Sequence, residues 1–257
     1  KRYFKEEFGH DINILFLPDS FGYTGSLPQI MKKCGVDYMV TIKLSWDRFN
    51  EYPHHSFIWK GIDGSGILVH MPPEGNYNSS AAPRAVKFAE TKYLDKAVSE
   101  NSLMVYGIGD GGGGPGFEHL ERLAREKNLE GIAPVTQESV LSFFKQLEKD
   151  RDKFYSWNGE LYLGIHQGTY TTQGRNKRYN RKLEIALRDL EFKSILAQLL
   201  VNIIYPNQDI ENIWKEVLLY QFHDILPGSS ITRVFDECLE RYAALTDETN
   251  QLMQSVQ

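Results

Sequence analysis

Over roughly the first 150 residues, short apolar runs alternate with amphipathic stretches. Residues 1–8 read as the last turns of a helix closed by Gly9. Residues 12–17 are apolar with β-branched members and predict a buried strand, broken at Pro18-Asp19-Ser20-Phe21-Gly22. A helix follows, with Ser26 as N-cap, Pro28 in its first turn and Gly35 as its stop, and residues 38–42 predict the next strand. Helix, strand, helix, strand favours a parallel sheet with crossover helices. Residues 57–60 and 67–71 flank an Asp63-Gly64 turn and predict a hairpin. Residues 71–83 form a loop of Pro, Gly, Asn and Ser, long enough to suggest a function. Residues 84–100 predict an amphipathic helix and 103–108 a strand that runs into the glycine-rich segment 109–115. A charged helix to about residue 128, a strand at 131–135 and a helix capped by Thr136 and ending at Asp150 complete this part.

Past a short β-like stretch at 160–170 the pattern becomes helical. Leu183, Leu187, Leu190, Leu196, Leu199 and Ile203 recur until Pro206. A second helix over 209–223 carries Ile213, Trp214, Val217 and Leu218 on one side. A third, from about residue 230, carries Val234, Phe235, Cys238, Leu239, Tyr242 and Leu245. Three amphipathic helices with short turns predict a three-helix bundle. The expected domains are 1–152 and 153–257, with the boundary near Arg151 to Trp157.

Composition narrows this picture. The chain has 257 residues and a formal net charge of −5, which speaks against nucleic acid as the main partner. The basic run Arg175, Lys177, Arg178, Arg181, Lys182 and Arg188 reads as a solvated helix face. Two cysteines exclude a disulfide scaffold and fit a reducing, cytoplasmic setting. No apolar run approaches the ~20 residues of a membrane span. The chain opens on Lys1 in a helix-like stretch, which suggests a piece of something longer.

Two carboxylates are placed alike. Asp19 and Asp110 each follow a predicted strand and precede a helix, so a parallel sheet would bring both to its carboxyl-terminal rim. Paired carboxylates on one rim suit glycoside hydrolysis; each Asp alone suits a turn or a helix cap. Gly107-Ile108-Gly109-Asp110-Gly111-Gly112 also fits the dinucleotide pattern G-x-G-x-x-G. Asp110 would then sit among amides meant for a pyrophosphate, and no Lys-Ser/Thr follows Gly114. A nucleotide-binding α/β protein, a non-catalytic sugar binder and a structural interaction module remain alternatives. His54, His55 and His70 are a candidate second metal cluster, or polar hairpin positions. His223-Asp224 reads as a helix cap or as part of a metal site.

Pro18-Asp19-Ser20-Phe21-Gly22-Tyr23, Leu27-Pro28-Gln29-Ile30 and the stretch from Thr41 to Trp46 resemble the family 38 α-mannosidases. Gly109 to Pro115, Gly168-Thr169-Tyr170-Thr171-Thr172 and Gln221-Phe222-His223-Asp224 continue the resemblance in order over nearly the whole chain. The glycine loop and Pro53-His54-His55 look like the cytosolic and bacterial branch. The resemblance implies a retaining exo-α-mannosidase acting on mannose-containing oligosaccharides, with Zn²⁺ at the sugar site. It implies Asp19 as nucleophile and zinc ligand, Asp110 as acid/base, His223 as zinc ligand, and Asp224, Lys43 and Tyr77 as substrate contacts.

One departure stands out. The family opens with a His-x-Asp that supplies two further zinc ligands. None of the seven histidines is followed two residues later by Asp; His119-Leu120-Glu121 comes nearest. The expectation is therefore an internal fragment. It would hold a truncated parallel α/β barrel, the bundle and half a zinc site, inactive alone. Its exposed sheet edges would invite homo-oligomers.

Overall fold

The computed structural model describes residues 1–256. The chain falls into two compact units, Lys1–Ile165 and the part from His166 onward. The first unit is built on a five-stranded mixed sheet of β1 (Ile14–Phe16), β2 (Tyr38–Val40), β3 (Ser56–Lys60), β4 (Gly66–His70) and β5 (Ser156–Asn158). The order is β1-β2-β4-β3-β5. β1, β2 and β4 are parallel neighbours; β3 is antiparallel to β4 and parallel to β5. The predicted hairpin is thus present. The all-parallel sheet is corrected to a mixed one, because the Asp63-Gly64 turn returns β4 directly alongside β3.

Helices α1 (Arg2–Phe8), α2 (Leu27–Lys33), α3 (Pro83–Lys92), α4 (Phe117–Glu126) and α5 (Val140–Leu147) complete the unit. Central β4 is buried on both faces. Ile67 and Val69 pack with Met39, Phe57, Trp59 and Leu161. Leu68 packs with Val40, Phe143, Phe144 and Leu147, and Phe144 stacks on Tyr38 at 4.7 Å. An apolar strand covered on both sides explains its continuous hydrophobic run.

Several expectations need correction. β1 is a half-buried edge strand with Phe16 exposed, because it pairs on one side only. Residues 103–108 and 131–135 are not strands of the sheet. The first keeps a single parallel bridge, Ser79 to Tyr106, since β4 already has a neighbour on each side. α3 stops at Lys92, and Asp95 pins the chain beyond it to the start of β3 by accepting from the His55 and Ser56 N–H groups. Ser139, not Thr136, caps α5, accepting from the Ser142 N–H. β5 and Leu161, read as outside the sheet-bearing part, belong to the first unit through β3 and Tyr23.

The second unit holds α6 (Gly174–Val201), α7 (Asn207–Leu219) and α8 (Thr232–Ser255) around one core. The buried stripe of α6 is Leu183, Leu187, Leu190, Ser194 and Ala197, alternating steps of four and three. Leu196 and Leu199 fall off that stripe and are exposed. α7 ends at Leu219, four residues before His223 rather than on it.

Candidate active site

Asp19, Lys43 and Tyr77 follow β1, β2 and β4, three adjacent parallel strands. Their connections therefore leave the sheet on one edge. The Asp19 turn is pinned to the chain beyond β2: Pro18 O accepts from Ile42 N at 3.3 Å and Lys43 N at 2.7 Å. Buried Tyr23 reinforces it, its hydroxyl donating to Leu17 O and meeting Thr41 Oγ1, each at 2.7 Å. Burial first, and then the Asp19 charge, push the Tyr23 phenol up to about 12 against the opposing hydrogen bonds of Thr41 and Ser20. Lys43 opens a 3₁₀ turn, and its Nζ lies 2.9 Å from Asp19 Oδ1. Both side chains are nearly enclosed (11% and 14% exposed), so water screens this ion pair only weakly.

Tyr77 reaches from the loop after β4, and its hydroxyl donates to Asp110 Oδ1 at 2.7 Å. The phenol is pushed well above its ordinary value by burial first, then by the Asp110 hydrogen bond and the charge of Asp19. Both carboxylates therefore bear on one hydroxyl. Asp110 is exposed and adopts a left-handed backbone (φ 56°), which Asp tolerates better than most residues. It sits in a small closed turn in which Ile108 and Gly113 exchange backbone bonds of 3.3 and 3.0 Å. The Gly109 N–H donates to Asn78 Oδ1, and a Cβ at Gly109 would run into the Tyr77 ring and that same Asn78 oxygen. Gly109 is thus glycine because Tyr77 lies against the backbone.

Gly109→Ala should push Tyr77 off Asp110 and destabilise this turn by about 1–3 kcal/mol. Gly114→Ala, with open space around its Cβ, should be close to neutral. Thermal unfolding of the two variants side by side measures this; equal effects would remove the close-approach explanation.

The glycine loop does not make a phosphate cradle. It closes on itself, and α4 begins only at Phe117 with Glu118 in its first turn. The histidine cluster is structural too. His54 Nδ1 meets Asp95 Oδ1 at 2.8 Å, His55 Nδ1 accepts from Leu94 N, and both nitrogens of buried His70 are taken by Ser56 and Leu103. Asp95 also accepts from His55 N and Ser56 N at 2.6 and 2.8 Å. Asp47 is a second buried carboxylate. It accepts from Phe49, Asn50 and Gly164 N–H groups. Sequence reasoning singles out neither of these carboxylates nor Asn78, and takes Trp46 and Gly109 only as members of longer motifs, because Asp in a turn and Gly in a loop are ordinary there.

In the second unit His223 and Asp224 lie in consecutive turns after α7, with His223 Nε2 3.6 Å from Asp224 Oδ2 and Ser229 Oγ donating to Asp224 Oδ1 at 2.8 Å. The segment is fixed from the start of α6. Lys177 Nζ donates to Leu226 O, Pro227 O and Thr172 O at 2.9, 3.2 and 2.5 Å. Gly228 (φ 89°) packs so tightly on Thr172 that a Cβ would collide with it. Thr172 and residues 226–228, just past His223 and Asp224, are thus joined within this unit. Among the described residues no three His, Cys, Asp or Glu side chains gather as a metal site. Asp19 faces Lys43 and His223 faces Asp224, so the residues of this chain do not by themselves fit a zinc centre.

Residues 1–160 match the model of the glycosyl hydrolases family 38 N-terminal domain, and residues 164–257 that of the alpha mannosidase middle domain. The chain is 40% identical over 253 residues to alpha-mannosidase G of Dictyostelium discoideum, covering 98% of this chain and 23% of that protein. It is 39% identical over 254 residues to human alpha-mannosidase 2C1, covering 98% and 24%. It therefore spans about a quarter of the length of these relatives. The crystal structure of an alpha-mannosidase from Enterococcus faecalis V583 superposes with a TM-score of 0.78 at 19% identity, over 98% of this chain and 30% of that one, which speaks for the fold. With both of its units matched, the chain belongs to glycosyl hydrolase family 38.

Proposed function

We propose that the chain carries part of the active site of a retaining exo-α-mannosidase that removes terminal α-linked mannose from oligosaccharides. The observation that carries this is the Tyr77 hydroxyl bound to Asp110 at 2.7 Å from the loop after β4, together with the Asp19–Lys43 pair after the adjacent parallel strands β1 and β2. Retaining hydrolysis needs two carboxyl groups about 5–5.5 Å apart, one as nucleophile and one as acid and then base. In this reading Asp19 attacks the anomeric carbon while Asp110 protonates the leaving oxygen. Asp110 then takes a proton from the water that frees the sugar from Asp19. Lys43 orients Asp19 and Tyr77 orients Asp110; on the family resemblance, Lys43, Tyr77 and Asp224 are each proposed as a substrate contact.

The sheet is proposed as the later part of an α/β barrel and the three helices as the family's bundle. Zinc is proposed on the family resemblance alone: Asp19 and His223 would give one ligand each, and two more would come from residues outside this chain. No chemical step is assigned to it here, because this chain's own donors fall short of a site. A cytoplasmic setting is proposed on the free thiols of Cys34 and Cys238. No helix of the described residues is long and apolar enough to cross a membrane. The half-covered edge of β1 supports self-association as a further proposal.

The chain by itself is expected to turn over no aryl α-mannoside and to hold no stoichiometric zinc. Turnover that disappears in Asp19→Asn, or one tightly bound zinc per chain, would overturn this expectation.

A further inference from the structure

Trp46 closes the 3₁₀ turn that Lys43 opens, and it is 46% exposed. Burial does not explain its position. Two directed contacts do. The Lys43 ammonium lies 4.1 Å from the centroid of its ring, a cation–π distance, while the same ammonium pairs with Asp19 at 2.9 Å. The indole N–H donates to the Gly75 carbonyl at 2.9 Å, in the loop whose Tyr77 donates to Asp110 at 2.7 Å. Gly75 itself takes a left-handed backbone (φ 64°), which turns the loop and its carbonyl. One side chain therefore holds the partner of Asp19 by its face and the loop bearing the partner of Asp110 by its edge.

The geometry points to Trp46 as a positioning residue that ties Lys43 to the Tyr77 loop, so that Asp19 and Asp110 are held in one fixed relation. Its importance for turnover rests on the reading of Asp19 and Asp110 as the catalytic pair. The tie itself does not. The two interactions are separable by chemistry: phenylalanine keeps an aromatic face for the ammonium and has no N–H, whereas leucine has neither.

The test uses this chain with ¹³C-labelled tyrosine, the Tyr77 signal assigned with Tyr77→Phe, and variants Trp46→Phe and Trp46→Leu. The groups that bear on Tyr77 are Asp110 and Asp19, and Lys43 balances Asp19. Both variants should move the Tyr77 ring signal at pH 7 towards those of the solvent-exposed tyrosines, as the loop loosens and the 2.7 Å hydrogen bond to Asp110 is lost. Acylation of Lys43, followed by mass spectrometry, should speed up several-fold in Trp46→Leu and stay unchanged in Trp46→Phe. A Trp46 that merely packed would move neither signal. Tyr77 unmoved in Trp46→Phe, or Lys43 released equally in both variants, overturns the tie. Should Trp46→Leu fail to fold, Trp46→Phe decides alone: a moved Tyr77 with a protected Lys43 supports the tie, and any other result overturns it. Loss of the catalytic reading would show separately, as turnover surviving Asp19→Asn in a chain set within a full-length relative.

Discussion

Asp19→Asn, in a chimera that sets this chain within the sequence of a full-length relative, should lower turnover of an aryl α-mannoside by about 10⁴-fold or more, the scale on which enzymes lose a covalent nucleophile. The amide keeps the shape of the turn and the backbone bonds from Pro18 to Ile42 and Lys43, so the fold should survive. Lys43 loses its charged partner but keeps the Trp46 ring beneath its ammonium. Asp110→Asn should behave differently. A general acid contributes about 10²–10⁴-fold, and only where the leaving oxygen needs a proton. Its loss should therefore be large with a phenyl mannoside and small with a dinitrophenyl mannoside, whose leaving group departs unprotonated. Equal losses with both substrates would remove Asp110 from the acid's role. Unchanged turnover in Asp19→Asn would remove the nucleophile.

The elements legible in the sequence are those whose local chemistry and tertiary partner agree. α1 ends at Gly9 in the left-handed conformation, and the hairpin forms across the Asp63-Gly64 turn. The helices of the second unit follow their apolar spacing. Residues 103–108 were misread because an apolar β-branched run states a preference for burial, not a strand neighbour, and both flanks of β4 are taken. The α6 stripe shows the same limit. Counting leucines selects Leu196 and Leu199, whereas helical geometry carries the buried line through Ser194 and Ala197.

The candidate site was legible as residue types and only partly as a constellation. The rim argument pairs Asp19 with Asp110, whereas the residue that follows the strand adjacent to β1 and meets Asp19 is Lys43, named in the sequence only through the family resemblance. Asp110 arrives by another route, through a closed glycine turn held against Tyr77 and Asn78 rather than from the end of a strand. No sequence pattern announces that route, because it depends on which loop lies against Gly109. Trp46 was hidden for a related reason: its two contacts run to residues 3 and 29 positions away and share no motif.

Acidification below about pH 6.5 should destabilise the first unit, and His70 is the main reason. The ring is fully buried in the sheet, with Nε2 accepting from the Leu103 N–H at 3.1 Å. That bond fixes the neutral tautomer, so Nδ1–H donates to Ser56 Oγ at 2.9 Å. A proton on Nε2 would break the Leu103 bond and bury a charge. Burial, with a smaller push from His55, lowers the His70 pKa from 6.5 to about 3. The unfolded chain takes up this proton near 6.5 and the folded chain does not, so the unfolded state binds more protons between these values. Stability is therefore complete above 6.5 and falls with pH by about 1.4 kcal/mol per unit. Between pH 6.5 and 5 the loss is about 2 kcal/mol, and His55, also lowered by burial, adds in the same direction. Asp47, held below its ordinary 3.8 by backbone N–H bonds that outweigh its burial, contributes only further down the scale. Hydrogen exchange at Leu68 and Val69, in β4, reads the first unit alone. His70→Gln should lower stability at pH 7 and flatten the slope between pH 6.5 and 5. An unchanged slope in that variant would transfer the acid lability to other groups.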